Sequence, residues 1–280
     1  MSFNLHETLE DLPLINILDV GAMSLGGEPP YQLLVERKKA RVIGFEPGIE
    51  ECNKLKREMG PPHKFYPYFI GDGKPATYYE TNFGMTGSLY RPNTRLLEKF
   101  QNLAELTTLL KTHQVETTRL DDIEGLGCVD FIKIDVQGSE LNVFKGASKA
   151  LESALVIQTE VEFVELYQGQ PLFCDVDKYL RSKGFQFHTF LGFGKRCFKP
   201  LVVNDDINDG LKQYLWSDAV YVKDWMRLET LSNAELKKYA VLLHDIFKSA
   251  DLCYLVLSRI DSNEGTDLAG RYLRMCTGQS

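Results

Sequence analysis

Asp135 and Glu160 are the residues of this 280-residue chain best placed for proton chemistry. Asp135 closes the run Val129-Asp-Phe-Ile-Lys-Ile-Asp, and Glu160 closes Leu155-Val-Ile-Gln-Thr-Glu. A carboxylate at the tip of a buried strand is costly unless it is paired, bound to metal or used. If the two runs are neighbouring strands, a strand spacing of about 4.8 Å puts the acids within about 5–10 Å of each other. Such a pair could share a proton, one pKa rising towards that of a useful base. It could also hold a divalent cation through oxygen ligands. The plainer alternative is that Asp135 orients a cofactor while Glu160 caps a loop.

The same grammar of strand, acid and glycine recurs earlier. Ile15-Asn-Ile-Leu-Asp19-Val-Gly21-Ala22 ends in an acid and a turn, and Val42-Ile-Gly-Phe-Glu46 ends in an acid. Gly21 would let a ligand approach the backbone without a Cβ in the way. Glu46 stands where an acid accepts ribose hydroxyls in nucleoside-binding sheets, although it could equally cap the helix that follows. Asp72, in Gly71-Asp-Gly73, could reach an adenine amino group or simply make a turn. The glycines after Asp19 do not follow the spacing of a pyrophosphate cradle. That spacing favours a nucleoside bearing an ammonium group over a dinucleotide. His188, in an aromatic run, reads as packing more readily than as a base.

These residues need a parallel sheet to bring them together. Apolar runs and helical patterns alternate from about residue 15 to 190, as expected of an α/β fold. Strands are expected at 15–20, 41–46, 64–70, 129–136, 155–161, 185–191 and 219–222. Helices are expected from Pro29-Pro30 to Arg37 and over 49–59, 140–151 and 175–182. Between 76 and 118 the alternation pauses for two short extended pieces, a helix at 93–100 and a strand near 115–118. Tyr78, Tyr79, Phe83 and Tyr90 of this excursion could line an acceptor pocket or cover a sheet edge. From Leu231 the pattern turns helical. Residues 1–226 are therefore expected to form the catalytic domain, and 227–280 a helical extension able to dock on the sheet or on a second subunit.

Several of these blocks resemble the FkbM family of S-adenosylmethionine-dependent methyltransferases. They are Asp19-Val-Gly-Ala, Gly44-Phe-Glu-Pro47, Gly87-Ser-Leu-Tyr90, Arg119-Leu-Asp-Asp122 and Phe131-Ile-Lys-Ile-Asp-Val-Gln-Gly-Ser-Glu140. The resemblance spans about residues 14–223. It implies a seven-stranded Rossmann-like sheet in the order 3-2-1-4-5-7-6, S-adenosylmethionine as cofactor and O-methylation of a hydroxyl on a small molecule, sugar or natural product. It also implies that Asp19, Gly21 and Ala22 flank the methionine moiety, that Glu46 holds the ribose, and that Asp135 sits near the sulfonium and the acceptor. Two departures stand out: Gln137 replaces a common Glu, and Met23-Ser24 stands where Asn is usual.

Composition narrows the remaining choices. A net charge of −7 without a basic block argues against a nucleic-acid partner. Six scattered cysteines without a CxxC pair suit a reducing compartment. No apolar run approaches membrane-spanning length, and the first residues lack a signal-peptide pattern, so a cytoplasmic protein without a membrane partner is expected. No Gly-x-Ser-x-Gly elbow or Gly-Lys-Ser/Thr loop is present. The competing readings are an NAD-dependent oxidoreductase, which shares Glu46, and a non-catalytic nucleoside-binding protein of the same fold.

Overall fold

The structure, a computed structural model, describes residues 3–23 and 27–278. The chain begins with β1 (Ile15–Val20), α1 (Gln32–Glu36), β2 (Ala40–Phe45), α2 (Ile49–Met59) and β3 (Lys64–Tyr66). An excursion follows: β4 (Phe69–Ile70), β5 (Pro75–Thr81), α3 (Thr94–Leu97), α4 (Leu103–Leu106) and β6 (Leu109–Thr118). Next come β7 (Phe131–Ile134), α5 (Glu140–Lys145), α6 (Ser148–Ser153), β8 (Val156–Glu162) and α7 (Phe173–Ser182). The chain finishes with β9 (Phe185–Lys195), β10 (Tyr214–Lys223), α8 (Asn233–Val241), α9 (Ala250–Glu264) and α10 (Leu268–Thr277).

Seven strands form the main sheet in the order β3-β2-β1-β7-β8-β10-β9. This is the expected 3-2-1-4-5-7-6 arrangement, a Rossmann-like α/β sheet. Its first five strands run parallel, while β10 is antiparallel to both neighbours. The central strands alternate between two buried faces, as a sheet covered on both sides requires. Ile15, Ile17, Phe131, Val156 and Val220 pack on one face, and Leu18, Val20, Ile132, Ile134 and Ile157 on the other.

The C-terminal helices cover the first face. Leu236, Tyr239 and Leu243 join Val256, Leu257 and Ile260 of α9 in one core with the sheet residues. Ser232 and Glu235 cap α8 reciprocally, satisfying two otherwise orphaned backbone donors. The opposite face carries α5, α6 and α7 through Leu141, Val143, Phe144, Leu151, Val176 and Leu180.

Several expectations change. The expected third strand, 64–70, divides at Pro67, which has no N–H to donate. Lys64–Tyr66 stays in the main sheet, while Phe69–Ile70 joins β6 and β5 in a separate three-stranded sheet. The helix expected over 140–151 breaks into α5 and α6 around Gly146 and Ala147. The helix expected at 93–100 shortens to a single turn at α3, followed by α4. The second sheet overhangs the carboxyl edge of the first and supplies Tyr78 to the cavity there.

Candidate active site

A cavity of about 350 Å³ opens along the carboxyl ends of the parallel strands. Open α/β sheets bind ligands at this edge because helix starts and loop backbone converge on it. Gly21 and Glu46 line one end, Asp135, Gln137 and Glu160 the middle, and Trp216 and Arg196 the far end. The order follows the order of the strands that carry them. Tyr78 and residues 83–89 of the excursion also line the cavity, so this part of the insertion lies over the site.

At the first end, β1 and β2 are locked together by the Gly21 and Ala22 N–H groups, which both donate to the Phe45 carbonyl at 3.0 and 3.1 Å. Gly21 takes a left-handed backbone with φ of 79°, and a Cβ built there would fall on the Asp135 carbonyl oxygen. Close packing of β1 against the end of β7 therefore demands glycine. Glu46 is 4% exposed, and its Oε1 accepts the Gly48 N–H at 2.7 Å. Burial pushes its carboxyl up, and the Gly48 hydrogen bond works against that rise. Its second oxygen has no hydrogen-bond partner among the described residues, and the side chain lines the cavity, which fits an acceptor for a sugar diol.

Three expected cofactor residues stand outside the lining: Asp19, Asp72 and Ala22, which meets β2 through its backbone N–H. Asp19 is not among the cavity's lining residues. Its carboxylate accepts the Tyr31 hydroxyl at 2.5 Å and the Lys133 ammonium at 3.3 Å, beneath the Gly21 turn. Burial works against the Lys133 charge, but Asp19 and Asp135 outweigh it and hold the pKa above the usual value. Asp72 is also absent from the lining. The strand before it belongs to the second sheet, and its carboxylate binds Lys74 at 2.7 Å, which lowers its pKa. It is a turn aspartate. His188 lies outside the lining as well. Ser24, Leu25 and Gly26, in the turn where the resemblance departs from its family, lie outside the described residues.

The middle of the cavity is organised by Gln137. Its backbone is left-handed, with φ of 55°. Its Nε2 donates to Asp135 Oδ1 at 2.7 Å and to Glu160 Oε2 at 2.8 Å, so both acids lie within reach of one nitrogen. The Tyr167 hydroxyl sits 3.1 Å from Gln137 Oε1 and 3.1 Å from the Thr86 carbonyl, one proton shared between two acceptors. Ser88 Oγ donates to the Gln137 carbonyl at 2.6 Å. The amide is thus oriented with its N–H groups towards the acids.

Two further acids stand behind this pair. Glu140 is 2% exposed, and its Oε1 accepts the Val136 and Gly138 N–H groups at 3.0 and 3.2 Å. Burial pushes its carboxyl up to about 7, against those hydrogen bonds. Glu162 lies two residues beyond Glu160 on the same side of β8. Burial raises both groups well above the usual carboxylate range, and neighbouring acids add to the rise. Oxygens of Glu140, Glu160 and Glu162 lie within 4.8 Å of one another. Crowded carboxylates of this kind resist simultaneous ionisation. Their hard oxygens suit a divalent cation, but the gap between Asp135 and Glu160 does not, because Gln137 fills it with N–H donors.

Sequence reasoning missed Tyr167, Trp216 and Arg196 as cavity residues, and Glu162 as a member of the buried acid cluster beside Glu160. Glu162 had a usable signal in its i, i+2 spacing from Glu160. The others depend on chain reversals that no local pattern reveals.

Comparisons with known proteins identify the family. The sequence model of the family described as "Methyltransferase FkbM domain" matches residues 19–187, more than half of the chain. The 2-O-methyltransferase NoeI of Sinorhizobium fredii is 30% identical over 167 residues. That match covers 55% of this chain and 66% of the relative, just under two thirds of its length. Among solved structures, one provisionally assigned as an S-adenosylmethionine-dependent methyltransferase of Listeria monocytogenes has a TM-score of 0.39 at 10% identity, covering 78% of this chain and 94% of its own. Another, provisionally assigned as a methyltransferase of Thermoplasma acidophilum, has a TM-score of 0.35 at 12% identity, with coverage of 75% and 69%. The strand order, rather than these distant likenesses, carries the fold.

Proposed function

The chain belongs to the FkbM methyltransferase family, and from this premise we propose that it transfers a methyl group from S-adenosylmethionine to a hydroxyl oxygen of a small molecule, a sugar or a natural product. Family membership sets the oxidoreductase reading aside. The observation that carries the proposal is the Asp135–Gln137–Glu160 bridge, midway along a cavity whose one end suits a ribose and whose wall turns apolar beyond Glu160 before it reaches Arg196.

S-Adenosylmethionine, when bound, supplies an already activated methyl group. The chain's own task is then alignment and proton removal. Glu46 is the residue to hold the ribose hydroxyls, and the Gly21 turn permits close approach of the backbone. Asp19 acts at one remove, through Tyr31 and Lys133, by fixing the floor under that turn. Asp135 orients the acceptor hydroxyl. Glu160, raised by burial and by its acidic neighbours, takes the hydroxyl proton as the new C–O bond forms. Gln137 holds both acids in place.

The experiment is transfer of a labelled methyl group from S-adenosylmethionine to hydroxylated acceptors and fractionated extracts. The expected product is labelled and stable to mild base, as an ether is and an ester is not. Failure of the protein to bind S-adenosylhomocysteine in titration calorimetry would sink the reading. Full turnover by both Asp135→Ala and Glu160→Ala would leave the fold reading intact and remove the roles given to those acids.

A further inference from the structure

We infer that the methyl acceptor is an oxyanion, a hydroxyl compound carrying a carboxylate, phosphate or sulfate that Arg196 receives at the far end of the cavity. The inference rests on the methyltransferase reading and adds the chemical class of the acceptor.

Beyond Glu160 the cavity wall turns apolar, through Leu97, Leu103, Leu106, Leu166 and Trp216. Arg196 closes this stretch, and it is the one cationic side chain among the described lining residues. It follows directly on β9, two strands beyond β8 in the sheet. Trp216, over which its guanidinium lies, is one strand across from β8 and pairs with Glu162, two residues along from Glu160, so about 5 Å across and about 7 Å along put the guanidinium roughly 10 Å from Glu160. The acceptor this implies has a hydroxyl at one end, an apolar middle and an anion about 10 Å away.

Arg196 is held ready for such a partner. Its Nη1 donates to the Lys195 and Asn208 carbonyls, both at 2.7 Å. Its guanidinium lies over the Trp216 ring, 5.3 Å from the ring centre. Trp216 sits against the backbone of Gly194, where any side chain would collide with the indole. These contacts fix the plane of the guanidinium and leave its charge without a close partner. No carboxylate lies within 4.0 Å of it among the described residues, and its Nε has no hydrogen-bond partner. Asp206 and Asp209 act on it only from a distance. Both are engaged elsewhere, Asp206 with the Asn208 N–H and Asp209 with Asn204 and the Gly210 N–H. Burial works against the charge. The two Nη1 hydrogens go to backbone carbonyls and Nε is buried, so Nη2 with its two hydrogens is the group left to meet an oxyanion.

The test uses three probes of matched length, 8-hydroxyoctanoate, 8-hydroxyoctyl phosphate and neutral 1,8-octanediol. Each is titrated into the full-length protein saturated with S-adenosylhomocysteine. Either anion is expected to bind at least about tenfold more tightly than the diol, and the better of the two identifies the oxyanion. Arg196→Gln should bring all three within about twofold of one another, while Arg196→Lys restores part of the preference. Equal binding of anions and diol by the wild type overturns the inference, as does a preference that survives in Arg196→Gln. Absence of binding by all three probes to protein that still takes S-adenosylhomocysteine overturns it too. Loss of S-adenosylhomocysteine binding itself would instead strike the methyltransferase reading beneath it.

Discussion

Gln137 Nε2 lies 2.7 Å from Asp135 Oδ1 and 2.8 Å from Glu160 Oε2, so a neutral amide separates two acids, one just past β7 and one within the adjacent β8. Removing the amide leaves the acids to repel each other and frees both side chains. Gln137→Ala should therefore lower kcat by about 100-fold, within the range of general acid–base contributions. KM for S-adenosylmethionine should stay within about threefold, because Glu46 and the Gly21 turn are untouched. The acidic limb of the pH–rate profile should move to higher pH as Glu160 loses a donor that favours its charged form. Gln137→Glu should also slow transfer and, by replacing an N–H donor with a carboxylate, gain affinity for Mn²⁺ that the wild type lacks at that gap. Steady-state kinetics across pH and Mn²⁺ titration decide it. A Gln137→Ala enzyme with unchanged kcat would remove Gln137 from the mechanism.

Glu46 and Asp72 are both acids near strand ends, yet their surroundings differ. Glu46 lines the cavity, while Asp72 is tied to Lys74 outside it. A hydrogen bond to a charged group contributes about 1.5–3 kcal/mol. Glu46→Ala should weaken S-adenosylhomocysteine binding by about 10- to 100-fold, whereas Asp72→Asn should leave it within about twofold. Titration calorimetry on both variants makes the comparison. Equal losses would mean that Asp72 reaches the nucleoside after all.

Much of the frame was legible because parallel strands are continuously apolar and end in punctuation. The helix Ile49–Met59 follows the sequence pattern from end to end, since Pro47-Gly48 opens it and Gly60-Pro61-Pro62 closes it. The split at Pro67 was readable in principle but masked by the apolar residues around it. β6 runs from Leu109, well before the expected 115, because Lys111, Thr112 and Gln114 are exposed where the strand pairs with β5 and give no hydrophobic alternation. In the site, Asp135 and Glu160 announced themselves as charges ending buried strands. Gln137 did not, because its role depends on a left-handed backbone that a glutamine rarely takes. Arg196 was invisible for a different reason: only the antiparallel pairing of β9 with β10 brings it to the Trp216 ring.

Gly21 makes a stability claim separable from catalysis. A side chain at φ of 79° is strained, and its Cβ would fall on the Asp135 carbonyl oxygen, a backbone atom that cannot swing aside. The backbone conformation alone costs about 1–2 kcal/mol. Relief of the clash requires β1 and β7 to separate where Asp135 N–H donates to Val20 at 3.0 Å. Gly21→Ala should destabilise the protein by more than about 2 kcal/mol in urea unfolding. A loss under about 0.5 kcal/mol would show that the strand ends are not packed this tightly.

Glu140 ties stability to pH in a direction opposite to that of most carboxylates. Burial raises its pKa from the ordinary value to about 7, so the folded protein holds a proton there that the unfolded chain has released. Between about pH 4.5 and 7 the native state binds more protons than the unfolded state. Stability therefore falls as pH rises through that window and does not recover above it. Glu160 and Glu162 are raised by the same burial and push in the same direction. Glu140→Gln keeps an oxygen to accept the Val136 and Gly138 N–H groups and cannot ionise. The drop in urea midpoint between pH 5.5 and pH 8 should be smaller in Glu140→Gln than in the wild type, with the variant the more stable of the two at pH 8. If the two proteins lose stability in parallel over that range, Glu140 is ionised in the folded state and its raised pKa is wrong.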